Sequence, residues 1–203
     1  MVIALPIAYW LAYTHSRIKP VVETLVAMPL VLPPTVLGFY FLIAFGPTNG
    51  LGQWLEEWFG LRLVFSFSGL VVASLVYSLP FMVHPLQSGL AKIPTTLKEA
   101  AYTLGKSRWQ TFIHIILPNM KPTMLTGVVL AFAHTIGEFG VILMIGGSIP
   151  GKTKVASIAI YEEVEALQYA EANAYSLVLF AITFGILLLV FLSNGNYFKK
   201  IGG

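Results

Sequence analysis

Four stretches of this chain, residues 21–45, 63–83, 123–145 and 174–192, are almost continuously apolar. Each is about 19 to 25 residues long, and a helix needs roughly 20 to cross about 30 Å of hydrocarbon. Charged residues make up 10% of the whole chain, whereas a water-soluble domain carries roughly 25%. The pattern predicts an all-α, multi-spanning membrane protein forming a single transmembrane domain over 1–203. The chain opens VIALPIAYWLAY before Thr14-His15-Ser16-Arg17. That run is too short to span, and no small-residue cleavage site marks it as a signal peptide. It reads as the cytoplasmic end of a first span whose start is missing, giving about five spans.

Five spans sort the loops onto two sides. Loops 14–20, 84–122 and 193–203 carry nine of the twelve Lys and Arg, and loops 46–62 and 146–173 carry only Arg62, Lys152 and Lys154. Positive loops stay in the cytoplasm, so the first set, with the C-terminus, is expected there. Glu56, Glu57, Glu162, Glu163, Glu165 and Glu171 then fall outside. All nine acidic residues are Glu, and there is no Cys. Disulfides, thiol catalysis and thiolate metal sites are excluded. The four His have no H-E-x-x-H spacing, so no metal site is expected.

Residues 146–153, GGSIPGKT, fit the phosphate-loop pattern G-x-x-x-x-G-K-[ST]. The context argues against a nucleotide site. The segment follows a membrane helix instead of a buried strand and lies on the expected outer side. No Asp exists to serve as the second Mg²⁺ carboxylate, and Pro150 removes one backbone donor from the cradle. A Gly/Pro turn leaving the membrane is the reading adopted.

The expected cytoplasmic segment 92–122 is polar, basic and rich in helix punctuation. Thr96-Leu97-Lys98-Glu99 and Ser107-Arg108-Trp109-Gln110 both have the capping-box pattern. Gly105 between them supplies a left-handed stop, and Pro118 limits the second helix. Trp109, Phe112, Ile113 and Ile116 recur at helical spacing as one apolar face. The pattern predicts helix, glycine turn, helix at the membrane surface. The small residues Ala100 and Ala101 suit either close docking in a partner's groove or a face laid on lipid or on the bundle.

This segment resembles the EAA signature of ABC importer permeases: E-A-A, three residues, G, nine residues, I-x-L-P. Glu99-Ala100-Ala101, Gly105 and Ile115-Ile116-Leu117-Pro118 match it in register. The resemblance implies that 92–118 carries a coupling helix docking on an ATP-hydrolysing subunit, with Glu99, Ala100, Ala101, Gly105 and Arg108 at the contact. "ETLVAMPLVLPPTVLGFY", "SLPFMVHPLQSGL" and "HTIGEFGVILMIGGSIPGKTKVASIAIYEEVE" extend the likeness to the molybdate permease group, which is close to the sulfate permeases. Family members usually have about twenty more N-terminal residues. The resemblance implies a second copy of the chain, two ATPase subunits holding the ATP and Mg²⁺, and an external solute-binding protein delivering molybdate or tungstate. It implies no cofactor in this chain and no nucleic-acid partner.

Three further features leave alternatives open. Pro29, Pro33 and Pro34 interrupt the span 21–45, as in helices lining transport paths or in a packing kink, with Thr35 and Gly38 as path candidates. Glu138 lies deep in 123–145, where an ionisable group costs about 3 kcal/mol and faces the bundle interior or a cavity. His134 is four residues away, on the same face of a continuous helix. A Glu138–His134 pair tying helices, a gate in the path, and a proton relay are the three readings. Residues 157–173 are acid-rich with helix-like spacing, fitting a solvated face or a surface that steers the binding protein by charge. The function expected is a non-enzymatic permease subunit in the cell membrane, forming a homodimeric pore for a tetrahedral oxyanion. The rivals are a sulfate or thiosulfate permease, a proton-coupled transporter built on Glu138 and His134, and an intramembrane enzyme, for which the chain lacks a nucleophile–base pair.

Overall fold

A computed structural model describes residues 1–193. The described residues are helical, without strands. The helices are α1 (Ala4–Tyr13), α2 (Lys19–Val31), α3 (Pro34–Ala44), α4 (Gly50–Phe59), α5 (Phe67–Ala91), α6 (Thr95–Thr103), α7 (Arg108–Thr111), α8 (Leu117–Asn119), α9 (Lys121–Gly137), α10 (Gly140–Gly146), α11 (Ala156–Glu165) and α12 (Tyr169–Ser193). A π-helical turn, Phe112–Ile116, joins α7 to α8. The expected C-terminal loop 193–203, with Lys199 and Lys200, lies almost wholly outside the described residues.

Among the described residues, α5 and α12 are each long and apolar enough to cross a membrane alone. The pairs α2 with α3, and α7–α8 with α9, pass the same test as broken spans, giving up to four; α1 is a shorter apolar helix. Two expected spans are therefore interrupted. Residues 21–45 break at Leu32–Pro33, because Pro33 and Pro34 lack N–H donors and Pro33 disfavours helical backbone at Leu32. Residues 123–145 break at Glu138–Phe139, after Gly137.

The chain forms two compact units. The first comprises Met1–Leu32 and Tyr77–His134. Its core takes Ala4, Ala8 and Leu11 from α1, Val26 from α2, Val83, Leu86 and Leu90 from α5, and Ile116 and Met120 from the segment before α9. The 4-8-11 spacing is one helical stripe. Helices α5 and α9 meet at small residues: a Cβ on Gly127 would stand 2.8 Å from Met82 Sδ. Such glycines let membrane helices approach at backbone distance.

The second unit comprises Pro33–Val76 and the chain from Thr135 on. Helices α3 and α10 cross here through two glycines. A Cβ on Gly38 would meet Met144 Cβ at 2.5 Å, and one on Gly140 would meet Pro34 Cβ at 2.7 Å. Ser66 starts α5, its hydroxyl accepting from Gly69 N–H at 3.1 Å and donating to Leu63 O at 2.9 Å. Residues 157–173 are not one helix. Helix α11 ends at Glu165, Leu167 is left-handed at φ 60°, and α12 begins at Tyr169. Residues 46–62, read from sequence only as a loop, contain α4.

Candidate docking loop and translocation path

Helix α6 does not begin with the Thr96–Glu99 capping box. Its N-cap is Pro94 (φ −58°, ψ 137°), without a side-chain cap. Pro94 fixes the extended entry, so Thr95 and Thr96 are already inside the helix. A residue with helical dihedrals cannot cap, and Glu99 is left exposed. The stop is as expected. Gly105 is left-handed at φ 74°, Lys106 N–H donates to Ala101 O at 3.0 Å, and Gly105 N–H to Tyr102 O at 3.0 Å. These two bonds make a Schellman motif. The second capping box also forms: Ser107 Oγ accepts from Gln110 N–H at 3.2 Å, and Gln110 Oε1 accepts from Ser107 N–H at 3.0 Å.

The EAA residues divide between two faces. Ala101 is buried, while Glu99, Ala100, Gly105 and Arg108 are exposed. Lys98 Nζ sits 3.6 Å from the centre of the Tyr13 ring, a cation–π contact tying α6 to α1. The Tyr13 hydroxyl in turn donates to Leu90 O at 3.0 Å. Sequence reasoning missed this tie, since no local pattern links residues 13 and 98. It also missed a solvent-facing apolar patch flanking Gly105: Leu104 is 80% and Trp109 69% exposed, beside Tyr102 and Leu97. The expected face Trp109–Phe112–Ile113–Ile116 is split: Ile116 is buried and Phe112 packs against the core, while Trp109 and Ile113 are exposed. Thr111, Ile116 and Met120 point inward, because the π turn adds a residue to the repeat. Pro118 does not end the segment. The wider turn just before it accommodates a ring that would strike the carbonyl four residues back in an α-helix.

GGSIPGKT closes on itself. The Thr153 hydroxyl, buried, donates to Gly146 O at 2.7 Å and accepts from Ile149 N–H at 3.0 Å. The N–H groups of Lys152, Thr153 and Lys154 all turn to Ile149 O, and that of Gly147 to Leu143 O. The hydroxyl and most of the donors a phosphate would require are already used. Lys154 Nζ pairs with Glu162 Oε2 at 2.5 Å, fastening this loop to α11. The hydrogen bond from Lys154 holds the exposed Glu162 carboxyl below its ordinary value, and raises Lys154 above its own.

The path candidates are placed as follows. Thr35 is exposed at the start of α3, and Gly38 is buried against α10. Glu138 lies in the break between α9 and α10 and is only 4% exposed. Ser157 Oγ donates to its backbone carbonyl at 2.7 Å. Its carboxylate oxygens lie beside Ser74 without a well-formed hydrogen bond. The next glycine, Gly140, meets Pro34 and the Thr35 backbone, so this break adjoins the start of α3. His134 stacks on Phe81, centroids 4.0 Å apart and planes at 26°, and tilts against Tyr77 at 4.6 Å. Its Nε2 is buried without a hydrogen bond. The expected Glu138–His134 hydrogen bond is not formed. Helix α9 ends at Gly137, so the continuous face that would align the two residues does not exist.

Comparison with known proteins fits this architecture. Residues 4–202 match the family model described as "Binding-protein-dependent transport system inner membrane component". The "Molybdenum transport system permease protein ModB" of Azotobacter vinelandii is 48% identical over 202 residues, covering 98% of this chain and 87% of that one. The protein of the same name from Haemophilus influenzae is 36% identical, covering 94% and 84%. The "Sulfate transport system permease protein CysT" of Escherichia coli is 33% identical, covering 91% and 66%. A chain of a bacterial alginate ABC transporter, solved in complex with an alginate pentasaccharide-bound periplasmic protein, superposes with a TM-score of 0.74 at 20% identity, over 94% of this chain and 70% of that one. A membrane chain of broken, glycine-crossed helices, bearing the EAA pattern on a glycine-closed exposed turn and matched from residue 4 to residue 202, belongs to the family of binding-protein-dependent transport system inner membrane components.

Proposed function

We propose that this chain is the permease subunit of an ABC importer for molybdate or tungstate, working as a pair of copies with two ATPase subunits and an external binding protein. The observation that carries the cargo reading is the near-full-length, 48% identity to a molybdenum permease. Residues 92–118 face the cytoplasm in this reading. Glu99, Ala100 and Arg108, with the exposed Leu104 and Trp109, form the ATPase contact. Ala101, Lys98 and the Gly105 turn hold that contact on the membrane core. ATP hydrolysis then moves the spanning helices by rigid-body motion of the loop, and this chain supplies no catalytic group. Glu138, beside the α3 break, belongs to the gate. A carboxylate there speeds passage by preventing tight binding of a dianion.

The test is initial uptake of molybdate per folded complex in proteoliposomes, with ATP present and an uncoupler added. Uncoupler-resistant molybdate uptake supports the reading, and Glu138→Gln is expected to change its rate with assembly intact. Uptake that follows only the amount of folded Glu138→Gln complex makes the residue structural. Dependence on a proton gradient at saturating ATP sinks the ABC reading. Sulfate is the second cargo, favoured by the 33% identity to a sulfate permease. Sulfate uptake that excess molybdate fails to suppress would select it.

A further inference from the structure

Helix α4 is short, exposed and fixed at both ends. At its start, Gly52 is buried against the carbonyls of Phe45 and Gly46, so close that any side chain would strike backbone. The Asn49 side-chain amide donates to Ile43 O, capping the end of α3. At its far end Gly60 is left-handed at φ 62°, and its N–H returns to Glu56 O at 3.0 Å. The helix therefore has one position relative to the end of α3 and is not a loose loop.

Its residues separate by face. Leu51, Trp54, Leu55, Trp58, Phe59 and Gly52 share one side; Gln53, Glu56 and Glu57 share the other. At about 100° per residue the apolar arc is about 160° wide, as for a helix buried along that side. Yet Trp58 is 75% exposed, Phe59 61%, and Trp54 and Leu51 48% each. Only Gly52 and Leu55 turn toward the protein.

We infer that α4 lies in the lipid interface, with Trp54 and Trp58 in the headgroup zone and Glu56 and Glu57 toward water. The apolar surface it continues is that of α3, whose Phe39, Tyr40 and Ile43 are also exposed. The Gly52 contact fixes α4 level with the C-terminal end of α3, where an apolar stretch leaves the bilayer. Trp is the side chain enriched at that depth, its ring apolar and its N–H wet. A polar face of carboxylates without Lys or Arg means that apolar and aromatic burial holds the helix, not attraction to anionic lipid. This placement rests on family membership alone and is independent of the cargo reading.

The test uses the complete complex in zwitterionic phosphatidylcholine vesicles, with Trp58 as sole tryptophan of this chain after Trp10→Phe, Trp54→Phe and Trp109→Phe, and with a tryptophan-free ATPase partner. Lipids brominated near the headgroup should quench Trp58 emission by about half, more than lipids brominated near the bilayer centre, with little quenching by iodide. A second set retaining only Trp54 should behave alike, and neither should change when anionic lipid is added. Iodide quenching without lipid quenching would overturn the inference. So would emission that is shielded only when the binding protein is added, or only at high permease density, which would make the face a protein contact.

Discussion

Adding one methyl group at Gly38 separates two roles for the α3 break. A Cβ there would stand 2.5 Å from Met144 Cβ and 3.1 Å from Val141 Cα. Ordinary carbon contacts lie at about 3.5–4.0 Å, so the overlap is about 1 Å. Both struck atoms belong to or adjoin the α10 backbone, so no rotamer change relieves the clash and the helices must part along their whole contact. Overpacking of this kind costs about 1–3 kcal/mol. A value near 2 kcal/mol is roughly a thirtyfold loss in the folded-to-unfolded ratio. Thermal unfolding of the purified complex should show Gly38→Ala well below the parent, with transport per folded complex unchanged. Met144→Ala should not rescue it, because alanine keeps the offending Cβ; Met144→Gly should rescue it in part. Parental stability in Gly38→Ala, or full rescue by Met144→Ala, would refute the packing argument.

Gly105→Val places a β-branched residue at φ 74°, at a cost of about 1–2 kcal/mol. The bundle should stay folded while the ATPase subunits are lost on size exclusion, and full transport would remove the docking role. Lys152→Ala should leave the ATPase activity of the assembled complex within about twofold, because the GGSIPGKT donors are already bonded internally. The Lys154–Glu162 clasp should depend on pH at both ends. Glu162, depressed from its ordinary 4.5, contributes above that value and loses its contribution as pH falls through the lowered one. Lys154, raised from 10.5, contributes below that value and loses its contribution as pH rises through the higher one. Protection of residues 147–154 from hydrogen exchange, taken relative to the intrinsic rate at each pH, should therefore be greatest between these limits, and Glu162→Gln should remove the acid limb.

The membrane class and the glycine turn at Gly105 were legible because local chemistry decides them. Long apolar runs have one solvent to go to, and Gly105 and the Ser107–Gln110 box act within a few residues. The Thr96 box failed because Pro94 claims the cap two positions earlier, a contest that a four-residue pattern does not register. The Glu138–His134 pair failed because continuous hydropathy hides the end of α9 at Gly137. Helix α4 was missed for a related reason: with three glycines in eleven residues, its stretch reads as a turn until the contact of Gly52 with α3 is seen. The tie of α6 to α1 rests on Lys98 over the Tyr13 ring, which no neighbouring residue announces.

The π turn at Phe112–Ile116 acts as a phase shifter. Each α-helical residue advances the azimuth by about 100°. One residue spent without the usual advance in pitch turns everything beyond it by about that angle relative to α7. Buried Thr111 and Ile116 are five residues apart, and Ile116 and Met120 four, so the count changes inside a single turn. A uniform α-helix from Arg108 to Asn119 could not present Arg108 and Trp109 outward and also keep Thr111, Ile116 and Met120 on one inward line. The nine-residue interval between Gly105 and Ile115 is thus a count of rotation as much as of length. It lets one short segment turn Arg108 and Trp109 outward and Thr111, Ile116 and Met120 toward the core.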